Sequence, residues 1–161
     1  MLWNFAGPEY QRAGLVTQAV GNRGPLVNAI HHTVIAIRNG GEDRLIQFSE
    51  TCSPEEATED LPYVSIGSGQ QSADPFLAFL RRTFWERTTP TLEGAIFATV
   101  WTLDEIIQSS PGKLGYPITI ATLQNGNARV LDEDDWTDHK TAVKAACDKL
   151  REFQAELRPP E

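Results

Sequence analysis

The spacing of apolar residues changes several times along this chain, and each change marks an element. Ile30 to Arg38 carries Val34, Ile35 and Ile37 in a β-branched run, which predicts a strand. Asn39-Gly40-Gly41 is a hairpin-turn signal, and Arg44 to Phe48 supplies the returning strand. The acids, prolines and hydroxyl residues of Glu50 to Pro62 predict an exposed loop. A second short apolar run, Tyr63-Val64-Ser65-Ile66, predicts another strand, which ends in Gly67-Ser68-Gly69. Helical spacing takes over at Phe76, Leu77, Leu80 and Phe84, with Asp74 expected as the N-cap and Pro75 as the first helical residue. Thr88-Thr89-Pro90 stops that helix. Thr91 is expected to cap the next, with Glu93 in the first turn, where the helix dipole favours a negative charge.

The helix from Thr91 to Ser109 is apolar on most of its circumference. Leu92, Ile96, Val100, Leu103 and Ile107 form one stripe, and Phe97 and Trp101 begin a second. A helix of this kind is buried on two sides. One domain covers one of them, so Phe97 and Trp101 are expected at an interface with a neighbouring chain. Pro117 to Ala121 predicts a strand, Gln124-Asn125-Gly126-Asn127 a hairpin turn, and Ala128 to Leu131 a partner strand. The acids Asp132 to Asp135 precede a last helix, where Val143, Ala146, Cys147, Leu150, Phe153 and Leu157 share a face and Pro159-Pro160 ends the pattern. Residues 1–29 are poorly defined: a helical pattern over Pro8 to Val20 is weakened by Gly14, and a turn follows at Gly21 to Pro25.

Strands and helices with one apolar face must bury that face in layers. The order predicts an α/β (α+β) layered fold in a single domain over 1–161, with a mostly antiparallel sheet covered by a helix pair and a C-terminal helix. A length of 161 residues and a hydrophobic content of 40% suit one domain with a real core. The net charge of −8 argues against nucleic acid as a partner, because phosphate binding needs a basic footprint. No apolar run reaches the ~20 residues of a membrane span, so no membrane partner is expected. Met1-Leu2-Trp3-Asn4 has no basic stretch of the kind that opens a signal peptide. Cys52 and Cys147 read as reduced thiols, and the expected location is cytoplasmic.

Candidate chemistry is sparse. Ser68 between glycines suggests a nucleophile elbow, but that motif needs glycine two residues to either side, and Ile66 and Gln70 stand there. No lysine follows Gly69, as a phosphate-binding loop requires. The plainer reading is a tight strand-to-helix turn. His31 and His32 are neighbours on a predicted strand, so they point to opposite faces and cannot share a metal ion. His139 is placed on the exposed side of the last helix, without a function. The acids 132–135 lack the alternating spacing of a calcium loop and suit the positive end of the helix that follows. Cys147 lies on the apolar stripe, where a thiol is inert packing. No metal and no cofactor are expected.

The segment Tyr63 to Leu123 also carries a family resemblance. "YVSIGSG", helices opening "ADPFLAFL" and "PTLEGAI", and the return "SSPGKLGYPITIATL" are similar to the C-terminal half of proteasome β-type subunits and of their bacterial relatives HslV and Anbu. The resemblance covers 30–157. It implies an N-terminal-nucleophile (Ntn) hydrolase fold, in which Gly67, Ser68 and Gly69 border the catalytic cleft as support. In the loop from Ser109 to Gly115, family members carry an acid and a serine that assist the nucleophile, and the matching positions are Ser109 and Gly112. Leu114-Gly115-Tyr116-Pro117-Ile118 fits the Anbu-like form of that loop, which adds Gly115 to the support residues.

The family's nucleophile is an N-terminal threonine whose own amine acts as base. This chain begins Met1-Leu2 and contains no Gly-Thr junction for self-cleavage, so no catalytic residue is assigned to it. The resemblance then implies a threonine-peptidase-type subunit that is inactive alone: a diverged or truncated scaffold member of a self-compartmentalising assembly. The expected partners are copies of itself or a related subunit, with a peptide substrate in the assembly. The alternative is a small-molecule or regulatory binding domain on the same two-layer α/β fold.

Overall fold

The computed structural model describes residues 32–49, 53–86, 88–110 and 114–157. The readings placed on 1–31, on Cys52, on Gly112 and on Pro159-Pro160 lie outside them. Strand β1 (Thr33–Asn39) turns through Gly40 and Gly41, both at positive φ, into β2 (Glu42–Phe48). Their antiparallel register runs from Thr33 opposite Phe48 to Asn39 opposite Glu42. The stretch expected as plain loop also contributes a strand, β3 (Pro54–Glu56), which pairs antiparallel with β2 through Ile46 opposite Glu56. A second hairpin joins β4 (Ile120–Gln124) to β5 (Asn127–Leu131) through Asn125 and Gly126, again both at positive φ. The strand expected over 117–121 therefore begins later, at Ile120. The sheet is antiparallel as expected, but its strands divide between a three-stranded and a two-stranded unit.

Three helices supply the rest. Helix α1 (Gln70–Leu80) continues as a π-helical turn over Arg81–Trp85, and Glu86 ends it at φ 46. Helix α2 (Leu92–Ser109) is capped as expected: the Thr91 hydroxyl accepts from the Gly94 amide at 3.2 Å. Helix α3 (Glu133–Glu156) opens with a capping box formed by Asp132 and Asp135, and Glu133, Asp134 and Asp135 occupy its first turn. The acid run thus acts on the helix it precedes.

Helix α2 is the centre of the core. Ile96, Val100, Trp101 and Ile106 are buried along it, with Leu80 from α1, Ile120 from β4, and Trp136 and Val143 from α3. Both of its apolar stripes are covered from inside the chain, by α1 on one side and α3 on the other. Of the two residues expected at an interface, Trp101 is therefore enclosed within the chain. Trp101 is 5% exposed, and Phe76, Phe84 and Phe97 enclose it at ring-centroid distances of 5.9, 6.0 and 5.4 Å. Phe97 is half-buried. The aromatics that reach solvent here are Phe79 and Phe84, at 40% and 47%. Along α3 the shared face is covered only at its start: Val143 is buried, while Leu150, Phe153 and Leu157 are exposed.

Candidate functional site

The glycine turn and the two ends it connects form the site. Gly67 takes φ +92, a conformation that an L side chain adopts only under strain. Gly69 is needed for space: a Cβ there would lie 2.8 Å from Leu114 Cδ1 and 3.3 Å from Ile106 Cγ2. The turn, the C-terminal end of α2 and the 114–116 loop are therefore in contact. Ser68 sits exposed at the tip. Ser109 is exposed at the end of α2, where its hydroxyl leans on the Ile106 carbonyl at 3.4 Å. Gly115 is exposed in the same loop.

Helix α1 starts a turn earlier than its sequence signals indicate. Gly69 is the N-cap, its carbonyl takes the amides of Ser72 and Ala73, and Pro75 lies inside the helix. Asp74 is not a cap because its carboxylate is engaged elsewhere. Ser65 donates to Asp74 Oδ1, and Gln70 approaches Oδ2 at 3.5 Å. Tyr63 Oη reaches the Asp74 carbonyl at 3.5 Å. Burial, reinforced by the Asp74 carboxylate, raises the Tyr63 phenol above its ordinary value. Side chains thus pin Tyr63–Ile66 to α1. The segment is half-buried, yet among the described residues it makes no backbone hydrogen bond and belongs to neither sheet. The strand predicted there has the conformation's partners on its side-chain faces and none along its main chain.

Behind that segment lies a cavity of about 400 Å³, walled by residues 62–66, by α1 and by α2. Its lining is mostly apolar, with Tyr63, Ser65, Arg81, Thr99 and Thr102 as polar exceptions. Arg81 Nη2 donates to the Glu59 carbonyl at 3.1 Å, but Arg81 Nε is buried without a partner. Sequence reading passed over Arg81. The signal was available: Ala73, Leu77 and Arg81 follow one another at a spacing of four, so the charge falls in line with an apolar stripe.

The other candidates are separate from this site. His139 is not on an exposed face: its side chain is 14% exposed and its Nε2 lies 3.1 Å from Glu93, tying α3 to the start of α2. His32 is exposed just before β1. Cys147 is half-buried at the edge of the core. Among the described residues, no hydroxyl or thiol is hydrogen-bonded to an imidazole or a lysine amine of another. Among those same described residues, no group of three or more metal-ligating side chains is placed to hold an ion, and no helix is long and apolar enough to cross a membrane.

No protein-family model matches the chain, and no curated protein does. Solved structures do. Anbu from Hyphomicrobium sp. strain MC1 superposes with a TM-score of 0.60 at 20% identity, covering 95% of this chain and 64% of that one. A Gly-1 mutant of Anbu from the same strain gives 0.57 at 22% identity, with 77% and 53% covered. Anbu, described as an ancestral β-subunit, from Yersinia bercovieri gives 0.55 at 21%, with 77% and 52% covered. The fold is Anbu-like. This bears out the fold that the segment 63–123 implied, including antiparallel strands, a helix pair and a C-terminal helix. The chain spans between about half and two thirds of the length of these Anbu structures.

Proposed function

We propose that this chain is a proteasome-like β-type subunit of the Ntn-hydrolase superfamily, and that it serves as a non-catalytic scaffold in an oligomeric peptidase-type assembly. The observation that carries this reading is the pairing of an Anbu-like framework with a site that lacks a served nucleophile. The glycine turn, the end of α2 and the 114–116 loop meet, while Ser68 and Ser109 stand exposed without an imidazole or amine among the described residues. The support residues Gly67, Ser68, Gly69, Ser109 and Gly115 shape a cleft in this reading and perform no bond-breaking step. The assembly contact lies at Phe79, Phe84 and Phe97, and at Leu150, Phe153 and Leu157 on α3, in place of the enclosed Trp101.

The test is a peptidase assay on the purified chain, paired with sedimentation velocity. We expect no turnover of fluorogenic peptides and a species larger than the monomer, dispersed by Phe84→Glu. Turnover lost in Ser68→Ala overturns the non-catalytic role. A clean monomer overturns the assembly. One observation favours the second reading, a small-molecule or regulatory binding domain, and that is the apolar cavity. A monomer that takes up a small apolar ligand there supports it.

A further inference from the structure

We infer that α3 pairs with the α3 of a second copy of this chain, antiparallel, along Leu150, Phe153 and Leu157. The inference rests on the assembly reading above and gives one of its contacts a partner and an orientation. Val143, Ala146, Leu150, Phe153 and Leu157 follow one another at spacings of 3, 4, 3 and 4, and the backbone stays helical through the C-cap at Leu157. The core of this chain takes the first part of that row: Val143 is buried and Ala146 half-buried. The row then runs out into solvent, with Leu150 54%, Phe153 58% and Leu157 67% exposed. Its width bears on what covers it. A helix laid on a globular core carries a stripe of roughly three or four apolar positions in seven, and the narrower a/d row is the seam of a paired helix. Here the flanking positions are polar, Lys149 and Glu156 on one side and Gln154 on the other, so the row suits a single helix.

The flanking charges select the second copy and its direction. Lys149 and Glu156 have opposite signs and stand one heptad apart on the same side of the row. When two copies of α3 run antiparallel about a twofold axis between Leu150 and Phe153, these sides face each other. Lys149 of each copy then meets Glu156 of the other, and symmetry makes the pair twice. The apolar layers fit in the same register: Leu150 faces the second copy's Phe153, and Leu157 faces its Ala146, large over small. A parallel pair sets Lys149 against Gln154 and makes no ion pair. The present partner of Lys149 is Glu152 of the same helix at 2.8 Å, an exposed pair of the weak and easily exchanged kind. Arg151 and Asp148 pair with each other on the back of the helix and take no part. A contact of two heptads is smaller than a standard interface, so by itself it closes weakly.

The experiment is sedimentation equilibrium on the full chain and on its Phe84→Glu variant, which removes the other proposed contact, at concentrations up to about 0.5 mM, where a weak pair is populated. A monomer–dimer equilibrium is expected in the Phe84→Glu chain. Adding Phe153→Glu is expected to weaken it by about tenfold or more while the thermal midpoint holds, because that side chain is exposed in the single chain. Lys149→Glu and Glu156→Lys are each expected to weaken it by about fivefold, since each turns both attractions into repulsions. Mixing these two variants is expected to restore it, because every flank then meets the opposite charge. Each variant carries its local effect on the helix into the mixture, so only pairing between chains gives that rescue. A mixture no tighter than its components overturns the antiparallel pairing. A Phe84→Glu chain that stays monomeric while the wild type associates overturns it too, and leaves the assembly reading standing. A wild type that is monomeric throughout overturns both.

Discussion

Two segments of this chain present short apolar runs with the look of strands, and only one became a strand. Ile120–Gln124 finds its partner a turn away: Asn125 and Gly126 fold the chain back, and Asn127–Leu131 completes the ladder. Tyr63–Ile66 has no such neighbour in sequence. It is bounded by Pro62 and by the Gly67 turn, and helices follow. Strand conformation is a property of residues, but a strand is a property of pairs. A partner supplied by a local turn can be read from sequence, and one supplied from elsewhere cannot.

Anchorage separates the two segments most strongly. Ile120 is 6% exposed inside the core with Val100, Trp101 and Val143, whereas Val64 is half-buried against a cavity. Ile120→Ala is expected to cost about 2–4 kcal/mol, the range for aliphatic truncation in a packed core. Val64→Ala is expected to cost about 1 kcal/mol or less, since its methyls already face open space. Urea unfolding of both variants checks this, and equal losses break the contrast between a seated strand and an unseated one.

The turns give the next effect. Gly67 and Gly126 have φ of +92° and +80°. Gly67→Ala meets no atom within 4 Å, so its expected loss of about 1–2 kcal/mol is all backbone strain. Gly126→Ala adds a Cβ 2.8 Å from Arg38 Cδ and is expected to lose somewhat more. Gly69, at φ −89, needs the Leu114 side chain to shift and Ile106 to give slightly, with no backbone strain, and its alanine variant is expected to lose least of the three. Thermal midpoints rank them, and a neutral Gly67→Ala removes the case for a strained turn.

The same contrast explains what was legible. Helix α2 was bounded by Thr91 and Ser109 because its cap and stripes are local. Both hairpins and the acidic start of α3 were readable for the same reason. Three features were not. Asp74 and Pro75 mimic a helix start, but the contact of Ser65 with the Asp74 carboxylate is tertiary and removes the cap. The burial of Trp101 depends on Phe76 and Phe84 closing over it, which the stripe on α2 alone does not reveal. Trp136 was missed although it stands seven residues before Val143, two helical turns along one face. In the candidate site, the glycines were found from the turn pattern. Arg81 was not, because a charge next to an apolar stripe ordinarily means solvent.

Side-chain anchoring of the unpaired segment comes next in size. Ser65→Ala removes the bond to Asp74 and is expected to cost about 0.5–1.5 kcal/mol, typical of a partly buried hydrogen bond. The loss is expected to be local, appearing as faster exchange or proteolysis around residues 62–67 with the β4–β5 hairpin undisturbed. Equal loosening of both regions in limited proteolysis shows that 63–66 is already part of the cooperative core.

The smallest effect is a matter of pH, and it distinguishes the two segments by cause. Tyr63, on the unpaired segment, has its phenol raised first by burial and then by Asp74, with Arg81 opposing. Tyr116, ahead of β4, is raised first by its hydrogen bond to Asp104, with burial secondary. Both groups are neutral when protonated, so their contribution to stability is present in full below the ordinary tyrosine value of 10.0. Above it, the unfolded chain ionises before the folded one and binds fewer protons, so stability falls as pH rises through the folded values. Each Tyr→Phe variant is expected to flatten part of that alkaline slope and to remove one late step from the phenolate absorbance titration. Salt distinguishes the two, because the Asp104 bond is exposed and burial is not screened. Raising the ionic strength is expected to move the Tyr116 step toward its ordinary value more than the Tyr63 step. Equal movement of both steps with salt would mean that the same cause raises the two phenols and would break the contrast.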